Sequence, residues 1–298
     1  MSEPIQSINE THFLNTKTEK VYYKPLNAQY PVTLPLTLVS PSVLFNGTTY
    51  LVGGGSPPYA SCHQINSIDL TPTQIPSLNI GRYKNALIAH QNEIFTIGGM
   101  NQDYLDSVEK FDGQKWTMAS SLNYPRADCS CCSVKDSIFV FGGYSLSDFI
   151  EKFDGFTWHI LKISLPTTLR RIGSFCCEDS LFLVGGNSMM FRTNASCRNV
   201  YKVDLEKEDL REINGLSVAD SFDSPGGVVI SEGKVELVGQ RYFHKLNQRT
   251  LEWESSEIET VCRACFQKCG ELGEKCRFVH KLNFIKIFTV LRINNKLT

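Results

Sequence analysis

A chain of 298 residues with 30 Lys plus Arg against 31 Asp plus Glu carries almost no net charge, so no global field draws it to nucleic acid or an anionic membrane. Its N-terminus lacks a basic segment followed by an apolar run. The longest apolar-rich stretch, 284–293, is interrupted by Lys286 and Arg292 and falls far short of the roughly 20 residues of a membrane helix. A cytosolic or nuclear setting is expected, with most of the eleven cysteines reduced. Cys129, Cys131, Cys132, Cys176 and Cys177 lie in apolar, strand-like surroundings where a free thiol behaves as a small buried hydrophobe.

In chain order, residues 8–24 read as two strands resembling 240–256, half of a repeat without its own first half. Apolar runs ending in glycines then recur as TTYLVGGG to Gly55, EIFTIGG to Gly99, SIFVFGG to Gly143 and SLFLVGG to Gly186, followed by a weaker KVELVGQ to Gln240. Counted on the second glycine of each pair, Gly54 to Gly99 is 45 residues, Gly99 to Gly143 is 44 and Gly143 to Gly186 is 43. The segment EKFDG occurs at 109–113 and again at 151–155, each followed three residues after its glycine by a tryptophan, Trp116 and Trp158. Asp-Gly between two β-rich runs marks a hairpin, because glycine accepts positive φ without steric cost.

Within residues 82–122 the pattern predicts four short strands: RYKNALIAHQ, EIFTIGG, SVEKFD and KWTMASSL. A period of 43–45 residues made of four strands is that of a propeller blade. Stacked blades bury each other's faces, and ring closure protects the edges. Continuous repeats cover about 40–255. Strands from 8–24 and 275–293 would together form a closing blade, giving six four-stranded blades in one domain; five remain the alternative.

The glycine pairs, the EKFDG–Trp spacing and SLNYPR at 121–126 resemble kelch repeats, especially those of kelch-like substrate adaptors. The resemblance implies an all-β kelch-type β-propeller that works as a non-enzymatic protein-interaction module. In such adaptors a separate region recruits a ubiquitin ligase. Here any ligase component would join through another chain.

The resemblance also implies that an Arg in the loop before each blade's first strand lines the mouth of the ring. Arg82, Arg126 and Arg171 are read as occupying one phase of the repeat. Three guanidinium groups at a mouth would favour an acidic peptide. The other reading is that each braces its own loop against a neighbouring carboxylate or carbonyl. Asn79, Asn123 and Tyr124, with Tyr104, Tyr144 and Arg192 from loops after the glycine pairs, are the neighbouring candidates.

The tail at 262–280 spaces Cys262, Cys269, Cys276 and His280 as a candidate tetrahedral zinc set, with Cys265 as a competing ligand. It resembles a degenerate CCCH zinc finger and supplies the alternative of an RNA-associated protein. A second alternative is a carbohydrate-directed propeller enzyme. The scattered histidines, and the lack of a nucleophile elbow, P-loop or dinucleotide fingerprint, point away from catalysis. No cofactor is required by this reading; a structural zinc is the one candidate.

Overall fold

The structure, a computed structural model, describes residues 41–257 apart from 47, 56, 66–71, 145–147, 178–179, 189–195, 221–226, 232–233, 239–241 and 248–251, together with three strands nearer the N-terminus. All regular structure among the described residues is β. Five four-stranded antiparallel sheets follow one another, each a meander in which strands one to four lie in chain order. We call them blades one to five.

Blade two consists of Ala86–His90, Glu93–Ile97, Val108–Phe111 and Trp116–Ala119, inside the four segments expected from the sequence. The others begin at Ser42–Phe45, Ser130–Val134, Gly173–Cys177 and Gly227–Ser231. These first strands neighbour one another in succession, which puts them on the inner side of the array. Near the N-terminus, Thr11–Asn15, Lys20–Lys24 and Val32–Leu34 form a three-stranded sheet, one strand more than the hairpin read from residues 8–24. The other expected contributor to a closing blade, 275–293, lies outside the described residues.

The cores lie between blades. Ile94 belongs to the core that blade two shares with Val52, Cys62 and Leu78 of blade one, whereas Phe95 and Ile97 belong to the core shared with Cys131, Ile138 and Val140 of blade three. A second strand buried on both faces has no polar side to alternate with, and its sequence is therefore a continuous apolar run. Trp116, Trp158 and Trp253 each fill a space between their own blade and the preceding one.

The glycine pair allows the connection between blades to lie close over the end of the second strand. Gly99 donates its N–H to the Arg126 carbonyl at 2.7 Å, and a Cβ on Gly98 would stand 2.5 Å from the same oxygen. In the EKFDG hairpins, Asp112 accepts the N–H groups of Gln114 and Lys115 at 2.8 and 2.9 Å, and Asp154 accepts those of Phe156 and Thr157 at 2.8 Å each. These bonds hold both aspartates below the usual carboxylate range.

One expectation about cysteine is overturned. Cys132 and Cys176 are joined by a disulfide that links the first strands of blades three and four. The two sulfurs face one another across neighbouring inner strands while packing against the apolar core between those blades, so the apolar surroundings expected of them are present but the reduced state is not. Cys129 and Cys131 are free and buried, and burial pushes the Cys129 thiol up to about 12.

Candidate functional site

In a meander of four strands, the links between second and third strands and the links between blades emerge on the same face. Tyr104, Tyr124, Tyr144, Asn79, Asn123 and all three candidate arginines stand on such links. The structure separates them into two groups.

Arg82 and Arg126 point inward. Both are fully buried and paired with a glutamate from the third strand of the following blade, Arg82 with Glu109 at 2.8 Å and Arg126 with Glu151 at 2.9 Å. The Arg82 guanidinium also donates to the carbonyls of Ile80, Gly98 and Ser107 and to Ser107 Oγ. Burial pulls its pKa down, and Glu109 opposes that shift. Its backbone meanwhile binds blade one, since Gly54 N–H donates to the Arg82 carbonyl at 2.8 Å. Each of these arginines is thus a clamp between two blades, and the expected place in an exposed mouth is corrected accordingly.

Asn79 and Asn123 belong to the same clamps. Asn79 donates its backbone and side-chain N–H groups to Glu109 Oε2, both at 2.8 Å, and Asn123 does the same to Glu151 at 2.7 and 2.9 Å. Their N–H groups are engaged by carboxylates of their own chain, while both residues remain exposed on the link face.

Arg171 is not in the phase of Arg82 and Arg126. Those two stand 17 residues before the second glycine of their own blade, Gly99 and Gly143, but Arg171 stands 15 before Gly186. The residue at 17 is Leu169, whose carbonyl accepts the Gly143 N–H at 2.8 Å as Arg126 does for Gly99. Arg171 shares its phase with Lys84 and Asp128, and all three have φ between 53° and 56°. Asp128 N–H donates to the Lys84 carbonyl at 2.8 Å, and Arg171 N–H donates to the Asp128 carbonyl at 3.0 Å. One residue from each of three successive links is thereby chained into a lip.

The lip gathers charge and aromatic surface. Asp128 Oδ2 lies 3.3 Å from Arg170, 3.4 Å from Arg171 and 3.9 Å from Lys84. The side chains of Lys84 and Arg171 remain 26% and 25% exposed. Arg170 sits 4.4 Å over the Tyr144 ring, and Lys84 lies 5.0 Å from the Tyr144 centroid and 5.5 Å from that of Tyr83. Tyr104, 41% exposed, stacks on Tyr144 with centroids 5.9 Å apart. Tyr124 and Phe149 form a second exposed stacked pair, also at 5.9 Å.

The structure therefore brings Tyr104, Tyr144 and Arg171 together and adds Lys84, Asp128, Arg170 and Tyr83, which sequence reasoning had not selected. The signal was available, because counting back from the glycine pair aligns Lys84, Asp128 and Arg171. Arg192 and the tail residues Cys262, Cys265, Cys269, Cys276 and His280 lie outside the described residues. Among the described residues, no group of three or more His, Cys, Asp or Glu is placed to hold a metal ion. Among the same residues, no helix is long and apolar enough to cross a membrane.

Comparison with known proteins agrees with this architecture. Sequential four-stranded meanders stacked along their inner strands define a β-propeller. Residues 81–123 match the Kelch motif. Mouse Kelch-like protein 35 is 27% identical over 204 residues, covering 62% of this chain and 33% of that protein, so the chain spans about a third of that relative's length. Protein C13 of swinepox virus (strain Kasza) is 32% identical over 72 residues, 22% of this chain and 14% of that protein. The solved structure of YjhT shares the fold, with a TM-score of 0.57 at 15% identity over 68% of this chain and 73% of that one. The chain has a β-propeller fold, carries a Kelch motif at residues 81–123 and is similar to kelch-repeat proteins.

Proposed function

We propose that this propeller is a non-enzymatic interaction module that takes an acidic segment of a partner protein at the lip formed by Lys84, Asp128, Arg170 and Arg171 with Tyr104 and Tyr144. One observation carries the reading: two part-exposed cations and an exposed tyrosine stack are held together on one face by backbone hydrogen bonds between blades. Arginine and tyrosine are enriched where binding energy concentrates in protein interfaces. The part-exposed ends of Lys84 and Arg171 beside Tyr104 offer donors of the kind that carboxylates on a partner accept. Similarity to Kelch-like protein 35 supports a protein partner, and a role as a substrate-recognition or scaffold subunit is part of the proposal.

Quantitative affinity capture from native extract, with wild type and a folded K84Q/R171Q/Y104A variant, tests this reading. The expected result is at least a tenfold loss of specific partners that carry acid-rich segments. Undiminished capture by the variant contradicts it.

A further inference from the structure

The first strands of blades three and four, which carry Cys132 and Cys176, are joined by a disulfide across a sequence separation of 44. Stacking of these blades does not require it. Ser130 Oγ donates to the Ile172 carbonyl, Ser174 Oγ donates to the Cys131 carbonyl at 3.3 Å, and an apolar core lies alongside. Counted back from the second glycine of each blade, Cys132 and Cys176 hold the places of Ile88 and Ser133, where blades two and three stack without a thiol pair. Both cysteines are half-buried at the margin of the core, so the bond is not sealed within it. Cys62, Cys129, Cys131 and Cys197 are free, and burial raises all four thiols, which makes them poor thiolates for attack on the bond.

We propose that this bond is a reversible redox staple that sets how firmly the lip is held. Its reductant is a small thiol of the glutathione class. The thiolate attacks one sulfur, the S–S bond breaks to leave a mixed disulfide, and a second small thiolate releases the remaining protein thiol. The protein's disulfide takes up two electrons and two protons, and the small thiols leave as their own disulfide. Position ties this chemistry to the lip. Asp128 lies two residues before Ser130–Val134, and Arg171 lies two residues before Gly173–Cys177. The staple and the 3.0 Å bond from Arg171 N–H to the Asp128 carbonyl therefore join the same two segments, at points four residues apart on one and five on the other. Reduction leaves that junction to non-covalent contacts. Its effect on the order of the lip stands alone, whereas its effect on a partner rests on the interaction reading above.

The full chain equilibrated in oxidised or reduced glutathione provides the test, by alkylation with peptide mass spectrometry, hydrogen–deuterium exchange and calorimetric titration with hexaglutamate. Cys132 and Cys176 should become alkylated in the reduced buffer, and the bond should reform when the oxidised buffer is restored. On reduction, exchange at residues 127–134 and 170–177 should rise about fivefold and the thermal midpoint should fall by about 5–10 °C. Hexaglutamate should bind the reduced form about threefold more weakly. C132S and C176S should each match reduced wild type in both buffers. A bond that resists glutathione, fails to reform, or leaves exchange at the lip unaltered when reduced overturns the proposal, as does binding of hexaglutamate to both forms with equal affinity. If exchange at the lip rises on reduction while hexaglutamate binds neither form, the acidic-partner reading falls and the staple stands.

Discussion

A guanidinium whose five N–H groups are all engaged inside the protein has none to offer a partner, and Arg82 is such a group. The same place in the next link but one holds Leu169, and the place of Glu109 and Glu151 in that blade holds Tyr201, both buried in the shared core. Pro166, with no N–H to donate, stands where Asn79 and Asn123 donate to their glutamates. Between blades four and five the polarity reverses, with Asp220 on the link 3.3 Å from His244 on the third strand. Charged and apolar clamps therefore serve the same interface. Replacing one partner of a buried pair strands the other charge, at a cost of about 3–5 kcal/mol, whereas replacing both by packed apolar groups is often neutral. R126L is accordingly expected to lose about that much in denaturant unfolding, and R126L/E151Y to recover at least ~1 kcal/mol of it. A double variant no more stable than the single one contradicts the clamp. His90 gives a pH dependence: its ring is buried, bonds Ser133 Oγ at 2.7 Å, and is held below the usual histidine value by burial, against the opposing effect of Asp136 and Glu93. The fold favours the neutral ring, so stability is full above the unfolded value of about 6.5 and falls as pH drops below it towards the lowered folded value. The fall in thermal midpoint between pH 8 and pH 5.5 should be smaller in H90Q, and half-buried His63, lowered by burial, acts in the same direction.

At the scale of the element, the glycine pairs do what their position in sequence suggested, and the reason is close backbone approach. Gly99 has φ 104°, and a Cβ there would stand 2.9 Å from the Tyr83 carbonyl oxygen. G99A is expected to destabilise the protein by more than the ~1 kcal/mol of an ordinary glycine-to-alanine change, measured by urea unfolding. An unchanged midpoint would show that the link does not depend on that approach. The features legible in the sequence were those fixed by local backbone geometry: the glycine pairs, the Asp-Gly hairpins and the apolar second strands. The clamps were not legible as such, because Arg82 meets Glu109 across 27 residues and Arg126 meets Glu151 across 25, and neither glutamate differs locally from a solvent-facing strand residue. Arg171 was misaligned by two residues because its neighbour Arg170 gives LRRIG the look of an arginine-bearing link. The Cys132–Cys176 bond was hidden for the same reason as the clamps, being made between blades.

For the whole molecule, the meander divides the surface into two faces. One carries the links between blades and between second and third strands, with the lip and both exposed aromatic pairs. The other carries the hairpins at 91–92, 112–115, 135–136 and 154–157. Clamps and inter-blade cores fix the links to their neighbours, so that charged residues far apart in sequence are held as one rigid surface. Hydrogen–deuterium exchange of the propeller, free and bound to a partner recovered by affinity capture, tests the account most directly. Protection should concentrate at residues 83–84, 100–105, 127–128 and 170–171, with the hairpins at 112–115 and 154–157 unchanged. Protection of those hairpins with an unaltered lip would place the partner on the wrong face and contradict the account.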